Sequence, residues 1–536
     1  MKNVKWSIHK ILLCISLVLC LIGGFGAKMV VSDGGKVTVT DVNIKTDMGT
    51  ISGTLLVPNT ASSKNKAPGI VVSHGASSNS ESVDSWYVEL ARRGYVVLAP
   101  NLYAHGDSTI ADAAYADTPE YAARGLIDDV EYLYSLPYVD TDKIAVMGHS
   151  LGGCCAMKTA EYYSNLEREA LANGASAEEA HALNKVSACV TVGYPLEVKI
   201  DGMPSASSPD FNGYLCDLGV ILGKCDDFQS WMNKDFLTNE FGPRWLKAQT
   251  GLEVTAVEEG VFYQNPENGY EFAAWNPNEI HNANMISGKT TGYIVDFFEH
   301  TYGAPNAIAS ANQTWGWKMF FNVVGMIGLF LFIIPCLYYV LKMPVFQSLA
   351  RENTFVLPPL LGKARTKYLR SIIIGVLINT ITFLPVVLIG SSAITGTVFP
   401  QGSTNGFVCW GLACGISTLI AVRKGTGLKY KGNAEYYGFQ TDRKEFVRTL
   451  GLAVTVVGLT YLLVYGAKFL FNSQFQFWTY IIRPITANKL TVVLRYLPLF
   501  FVQQFANGIA IRRNNFDNWS DEKRIAFSTT MSLAPS

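Results

Sequence analysis

Hydrophobic residues in the first half of the chain fall into two patterns. Val37, Val39, Val42 and Ile44, and then Ile51, Gly53, Leu55 and Val57, recur close to every second residue, which predicts two paired, half-buried strands. Residues 68–72, 94–100 and 143–149 form short continuous apolar runs, as strands covered on both faces do. Helical patterns fall over residues 81–93, 119–136, 154–163 and 287–299, and further strand-like runs over 186–192 and 218–222. Strands separated by helices predict crossover units and a mostly parallel sheet, an α/β class. Residues 166–185, rich in Ala and Glu, read as a helical insertion. Residues 228–275 read as a cap, with Trp231, Trp245, Phe262, Tyr263, Tyr270 and Phe272 mostly packing as core.

Longer apolar runs lie at residues 11–27, 319–341, 371–389, 406–422, 450–465 and 490–505. A helix needs about 20 apolar residues to cross a bilayer, and several of these runs approach that length. The expected division is an anchor over 1–30, a soluble α/β domain over 31–305 and an all-α, multi-span membrane domain over 306–536. Lys2, Lys5 and Lys10 precede the first run and no convincing small-residue cleavage site follows it, which favours an uncleaved anchor over a removed signal peptide. With the positive end inside, the soluble domain is exported.

The chain is 16% charged and 49% hydrophobic and carries no net charge, which leaves no basic footprint for nucleic acid. Loop cations fit the exported topology. Lys342, Arg351, Lys363, Arg365, Lys367 and Arg370 mark one internal loop, Arg423, Lys424, Lys429, Lys431, Arg443, Lys444 and Arg448 another, and Arg512 and Arg513 a third internal end. The segment carrying Lys468, Arg483 and Lys489 breaks the rule, because it should be external. The spans hold no Asp or Glu, which argues against an ion relay, and Arg495 is read as a snorkelling residue. Residues 525–536 are too short to span. The ten cysteines show no zinc spacing; Cys154 and Cys155 read as core, and no structural disulfide is expected, Cys216 with Cys225 included.

The chemistry centres on Gly148-His149-Ser150-Leu151-Gly152-Gly153, which follows a strand and opens a helix. That context holds a serine on a strained elbow with its hydroxyl exposed, which makes Ser150 the candidate nucleophile. Residues 218–222 run into Gly223-Lys224-Cys225-Asp226-Asp227, a strand end that offers a carboxylate. Only His281 and His300 follow it, and His281 lies in a polar loop ahead of the 287–299 helix.

Together with His74-Gly75 and His105-Gly106-Asp107-Ser108, the elbow gives residues 36–303 a resemblance to α/β-hydrolases of the dienelactone-hydrolase and prolyl-oligopeptidase-like kind. The resemblance implies a doubly wound, mostly parallel sheet and a triad in the order Ser150, Asp226, His281, with Asp227 as the fallback acid. It also implies an oxyanion hole from the Leu151 and Ala76 amides, and a structural role for the 105–108 loop. His281 then takes the Ser150 proton while Asp226 fixes its tautomer, with no metal or cofactor. The expected protein is a membrane-anchored extracytoplasmic serine hydrolase of small-molecule or lipid-like acyl esters. The alternatives are a serine peptidase of the same fold and a non-catalytic membrane binding module.

Overall fold

The structure is a computed structural model and describes residues 7–110, 119–197, 211–227, 233–350, 357–424, 442–512, 516–520, 522–524 and 526–528. Trp231, Arg351, Lys429, Lys431, Arg513 and most of the 525–536 tail lie outside the described residues. The chain divides into two compact units, Ile11–Phe332 with Leu462–Arg483, and Met1–Lys10 with Ile333–Tyr461 and Pro484–Ser536.

The first unit is built on a ten-stranded sheet. Strands β1 (Val37–Thr46) and β2 (Gly49–Pro58) form the predicted antiparallel pair. They are followed by β3 (Ala67–Ser73), β4 (Val96–Pro100), β5 (Thr109–Ile110), β6 (Val139–His149), β7 (Ala188–Val192), β8 (Asp217–Ile221), β9 (Tyr263–Gln264) and β10 (Glu271–Trp275). The order across the sheet is β1-β2-β4-β3-β6-β7-β8-β10-β9, with β5 beside β2. From β4 to β10 every pairing is parallel. The apolar runs of β3, β4 and β6 are buried on both faces, as their unbroken hydrophobicity requires.

Helices α1 (Ile8–Val31), α2 (Asp84–Arg92), α3 (Pro119–Tyr134), α4 (Leu151–Ala172), α5 (Ala177–His181), α6 (Phe241–Thr250) and α7 (Gly288–Tyr302) complete that part of the chain. The stretch 166–185, expected to be helical, is the continuation of α4 to Ala172 and then α5, which follows behind a capping box between Ser176 and Glu179. One expectation is corrected. Within the 228–275 stretch, the described residues 233–275 form no separate cap, because β10 joins the sheet and Trp245 and Phe272 are buried in the core below it.

The later apolar runs lie in α8 (Trp315–Leu341), α9 (Gly362–Ala393), α10 (Gly402–Lys424), α11 (Arg443–Phe471) and α12 (Ala487–Arg512). Among the described residues, five helices are long and apolar enough to cross a membrane: α1, α8, α9, α10 up to Ala421, and α11. Helix α12 reaches 26 residues but is not among them, since Arg495, Gln503 and Gln504 dilute its apolar content. In the second unit, α10 and α12 approach closely at Gly411 and Gly415, where a Cβ would meet Gln503. Arg495 Nη1 donates to the Thr397 carbonyl at 3.0 Å. All ten cysteines are free thiols, with Cys154, Cys155 and Cys216 buried and Cys225 exposed.

Candidate active site

Ser150 sits between β6 and α4 with φ 52° and ψ −119°, a left-handed conformation that only a tightly constrained turn imposes on a residue with a Cβ. Its amide donates to the Val192 carbonyl at the end of β7, 2.9 Å away, and its carbonyl accepts from Cys154 N, which opens the helix. Gly148 and Gly152 are what make the turn possible. A Cβ on Gly148 would lie 2.3 Å from the Gly152 carbonyl carbon, and one on Gly152 would lie 2.5 Å from the His74 carbonyl oxygen.

Two loops from distant parts of the chain close beside this elbow. After β8, Lys224 N donates to Pro277 O (2.7 Å) and Cys225 N to Glu279 O (3.1 Å), so the loop carrying Asp226 is zipped to the loop that follows β10. Glu279 anchors the second loop by accepting from Asn284 Nδ2 (2.8 Å), Thr290 Oγ1 (2.7 Å) and Ser287 Oγ. The result is a 2.8 Å contact between His281 Nδ1 and Asp226 Oδ2, with the carboxylate fully buried. A carboxylate oxygen accepts, so Nδ1–H is the donor in this contact. Gly193, one residue after the carbonyl that holds Ser150, lies against the same imidazole, and a Cβ there would be 3.3 Å from His281 Nδ1. Ser150, Asp226 and His281 therefore converge on one end of the sheet, the carboxyl end where open α/β sheets hold their ligands. His300 stands apart at the end of α7, paired with Glu271 (2.7 Å) and stacked on Phe262.

Ala76 follows β3 in an exposed turn, and a Cβ on its neighbour Gly75 would lie 3.3 Å from Ser150 Cβ. Among the described residues, neither the Ala76 nor the Leu151 amide donates to a backbone carbonyl. The turn is held from behind. His74 Nδ1–H donates to Gly75 O (2.7 Å) while His74 Nε2 accepts from Leu102 N (3.1 Å), and Ser77 N donates to His105 Nε2 (3.3 Å). Burial first, then the neighbouring His105, pushes His74 down to about 3.

His149 went unassigned in the sequence. Its Nε2–H donates to the His281 carbonyl at 3.0 Å, and the two rings lie 4.7 Å apart. Burial and the His281 ring push it down to about 3, so it stays neutral. Its position inside the elbow motif was the available signal, but its partner lies 132 residues away.

The sheet order and the serine elbow define an α/β-hydrolase domain. Residues 51–197 match the dienelactone hydrolase family, and the chain carries a domain of that family. Uncharacterized proteins of Mycobacterium tuberculosis (strain ATCC 25618 / H37Rv) and Mycobacterium bovis are each 33% identical over 99 residues, 18% of this chain and 26% of theirs. The chain thus matches about a quarter of the length of those relatives. Solved structures similar to it include the Pyrococcus furiosus esterase Pf2001, at 15% identity and TM-score 0.34, covering 51% of this chain and 96% of that one. Thermogutta terrifontis esterase 2 phosphonylated by cyclosarin is 14% identical with TM-score 0.35, covering 50% and 96%. A dienelactone hydrolase-like promiscuous phosphotriesterase from metagenomic libraries is 17% identical with TM-score 0.30, covering 54% and 98%.

Proposed function

We propose that this chain is a membrane-held, extracytoplasmic serine hydrolase that cleaves carboxylic esters or related acyl substrates, small or lipid-like. The observation that carries the reading is the His281–Asp226 contact beside a serine held at φ 52°. Ser150 Oγ attacks the acyl carbonyl and passes its proton to His281 Nε2, with Asp226 stabilising the imidazolium through Nδ1–H. The oxyanion is received by the amides of Leu151 and Ala76. Collapse breaks the bond to the leaving alcohol, which takes the proton back from Nε2, and water then hydrolyses the acyl-serine by the same sequence. None of these steps requires a metal or cofactor.

The membrane half of the reading rests on the five apolar helices and on how α1 is built in. A Cβ on Gly23 would lie 2.5 Å from Gly325 Cα of α8, and one on Gly328 would lie 2.7 Å from Ser16 O, the close approach that small residues allow between membrane helices. That packing supports α1 as a retained anchor, with the hydrolase domain over 31–305 and the helical domain over 306–536. The external segment that broke the charge rule also finds a reason. Lys468 pairs with Asp41 at 2.8 Å and Arg483 with Asp107 at 2.9 Å, so these cations serve the hydrolase domain and lie on its side.

Labelling intact cells with a membrane-impermeant fluorophosphonate tests the whole reading. The parent should label, and Ser150→Ala and His281→Ala should not. On a fluorogenic ester panel, Ser150→Ala should lose at least about 1000-fold in kcat. Parent-like hydrolysis by Ser150→Ala would refute the triad, and labelling seen only after lysis would reverse the orientation. An absence of labelling throughout would favour the non-catalytic binding module.

A further inference from the structure

The segment Leu462–Arg483, the end of α11 and the stretch after it, belongs with Ile11–Phe332 to the hydrolase unit. It contains a hairpin, β11 (Phe475–Phe477) and β12 (Tyr480–Ile482), and ends at Arg483. Its polar side chains are directed at two loops of the hydrolase domain. Gln476 Nε2 donates to the Glu81 carbonyl at 2.8 Å, and Gln474 Nε2 donates to the Glu81 carboxylate. Arg483 Nη2 lies 2.9 Å from Asp107 Oδ2 and 3.6 Å from Glu81 Oε1. Glu81 is buried, and despite that burial the charge of Arg483, then its own backbone amide, holds it below the ordinary carboxylate range.

These contacts bracket the turn that carries Ala76. Downstream of it, Glu81 is gripped by Gln474, Gln476 and Arg483. On its other side, Asp107 lies two residues from His105, whose Nε2 accepts from Ser77 N. The His105 and His74 rings are 5.2 Å apart, and His74 in turn fixes the Gly75 carbonyl. One cation, supplied from more than 300 residues away in sequence, thus pairs with a carboxylate on each side of the oxyanion turn.

We propose that Arg483 is a positioning residue for the oxyanion turn, acting through Asp107 and Glu81, so that the hydrolase domain depends on the 462–483 segment for catalysis. This rests on the serine hydrolase reading above. A misplacement of about 1 Å at a reacting geometry costs up to about a hundredfold in rate, whereas a docking role would change stability alone.

The test uses the full-length protein in membranes, with a short soluble acetyl ester and a fluorophosphonate as probes. Arg483→Gln is expected to lower kcat by about tenfold to a hundredfold and to slow phosphonylation by a similar factor. KM should stay within about twofold of the parent, because the substrate itself is not contacted. Asp107→Asn should reproduce this, and the double variant should be no slower than the slower single, as for two residues acting in one path. Arg483→Lys, which keeps the charge, should recover part of the loss. Thermal melting of each variant separates a folding defect from this effect: slowed phosphonylation at a parent-like melting temperature supports the proposal. Parent-like phosphonylation by Arg483→Gln, or losses at 483 and 107 that multiply, would overturn it. If the parent itself shows no Ser150-dependent labelling, it is the hydrolase reading that fails.

Discussion

At the scale of single residues, the site is marked by groups held where they would not rest alone. Ser150 at φ 52° carries backbone strain of about 1–3 kcal/mol, sustained by the Val192 carbonyl and the glycines around it. Ser150→Gly should therefore melt higher than Ser150→Ala, by up to about 1 kcal/mol, while both are inactive. Equal melting by calorimetry would mean that the turn is not strained. Asp129 of α3 is buried, and its Oδ1 has no hydrogen-bond partner among the described residues. Burial, reinforced by Asp128, pushes its carboxyl well above the ordinary range. A raised folded value means the native state binds the extra proton, so this group's contribution improves as pH falls and worsens as pH rises above the unfolded value. Asp129→Asn lacks that term and should gain on the parent by about 1.4 kcal/mol for each pH unit climbed above roughly 4, up to the folded value. Melting curves from pH 4 to 8 that stay parallel would refute it. Ser150, Asp226 and His281 are the candidates the sequence offers, because the chemistry demands those residue types in that order, and the structure brings Asp226 and His281 into contact. His149 is not among them, because its role depends on which carbonyl a loop hydrogen-bonded to the distant Asp226 loop brings to it.

At the scale of elements, hydrophobic periodicity located the central strands well, since strands covered on both faces leave unbroken apolar runs. It missed β10, whose Glu271-Phe272-Ala273-Ala274-Trp275 is short, lacks β-branched residues and sits in an aromatic-rich stretch that reads as a cap. It also cut α4 short, because the polar residues of its last turns look like a separate piece. The joint between β6 and α4 shows how elements constrain the site. Gly152 brings α4 so close to β3 that a Cβ would also lie 2.8 Å from the Ser73 carbonyl. The obstacle is backbone, which cannot swing aside, so Gly152→Ala must push α4 away from the sheet. We expect a loss of about 1–3 kcal/mol in stability and a larger fall in activity, since Leu151 N moves with the helix. Retained activity at a parent-like melting temperature would show that the approach is looser than the geometry describes.

At the scale of the whole molecule, the chain's membrane character was evident from its apolar runs, yet the function of the 462–483 segment was hidden. Its Lys468 and Arg483 looked like violations of the charge rule, because a sequence does not reveal that Asp41 and Asp107 wait hundreds of residues upstream. Once those partners are known, these two cations no longer count against the exported orientation proposed for the hydrolase domain. The protein contains its own reporter for that orientation. Cys225 is an exposed free thiol next to Asp226, whereas Cys154, Cys155, Cys189 and Cys216 of the same domain are buried, and burial drives their thiols upward, away from the reactive thiolate. A membrane-impermeant maleimide added to intact cells should therefore label the parent, and Cys225→Ser should remove most of that signal. Cys14, the other exposed cysteine, lies within the apolar α1 and is shielded if that helix is in the bilayer. Labelling of Cys225 only after permeabilisation would place the hydrolase domain inside, invert every loop assignment and leave the cations of α9 on the outer face.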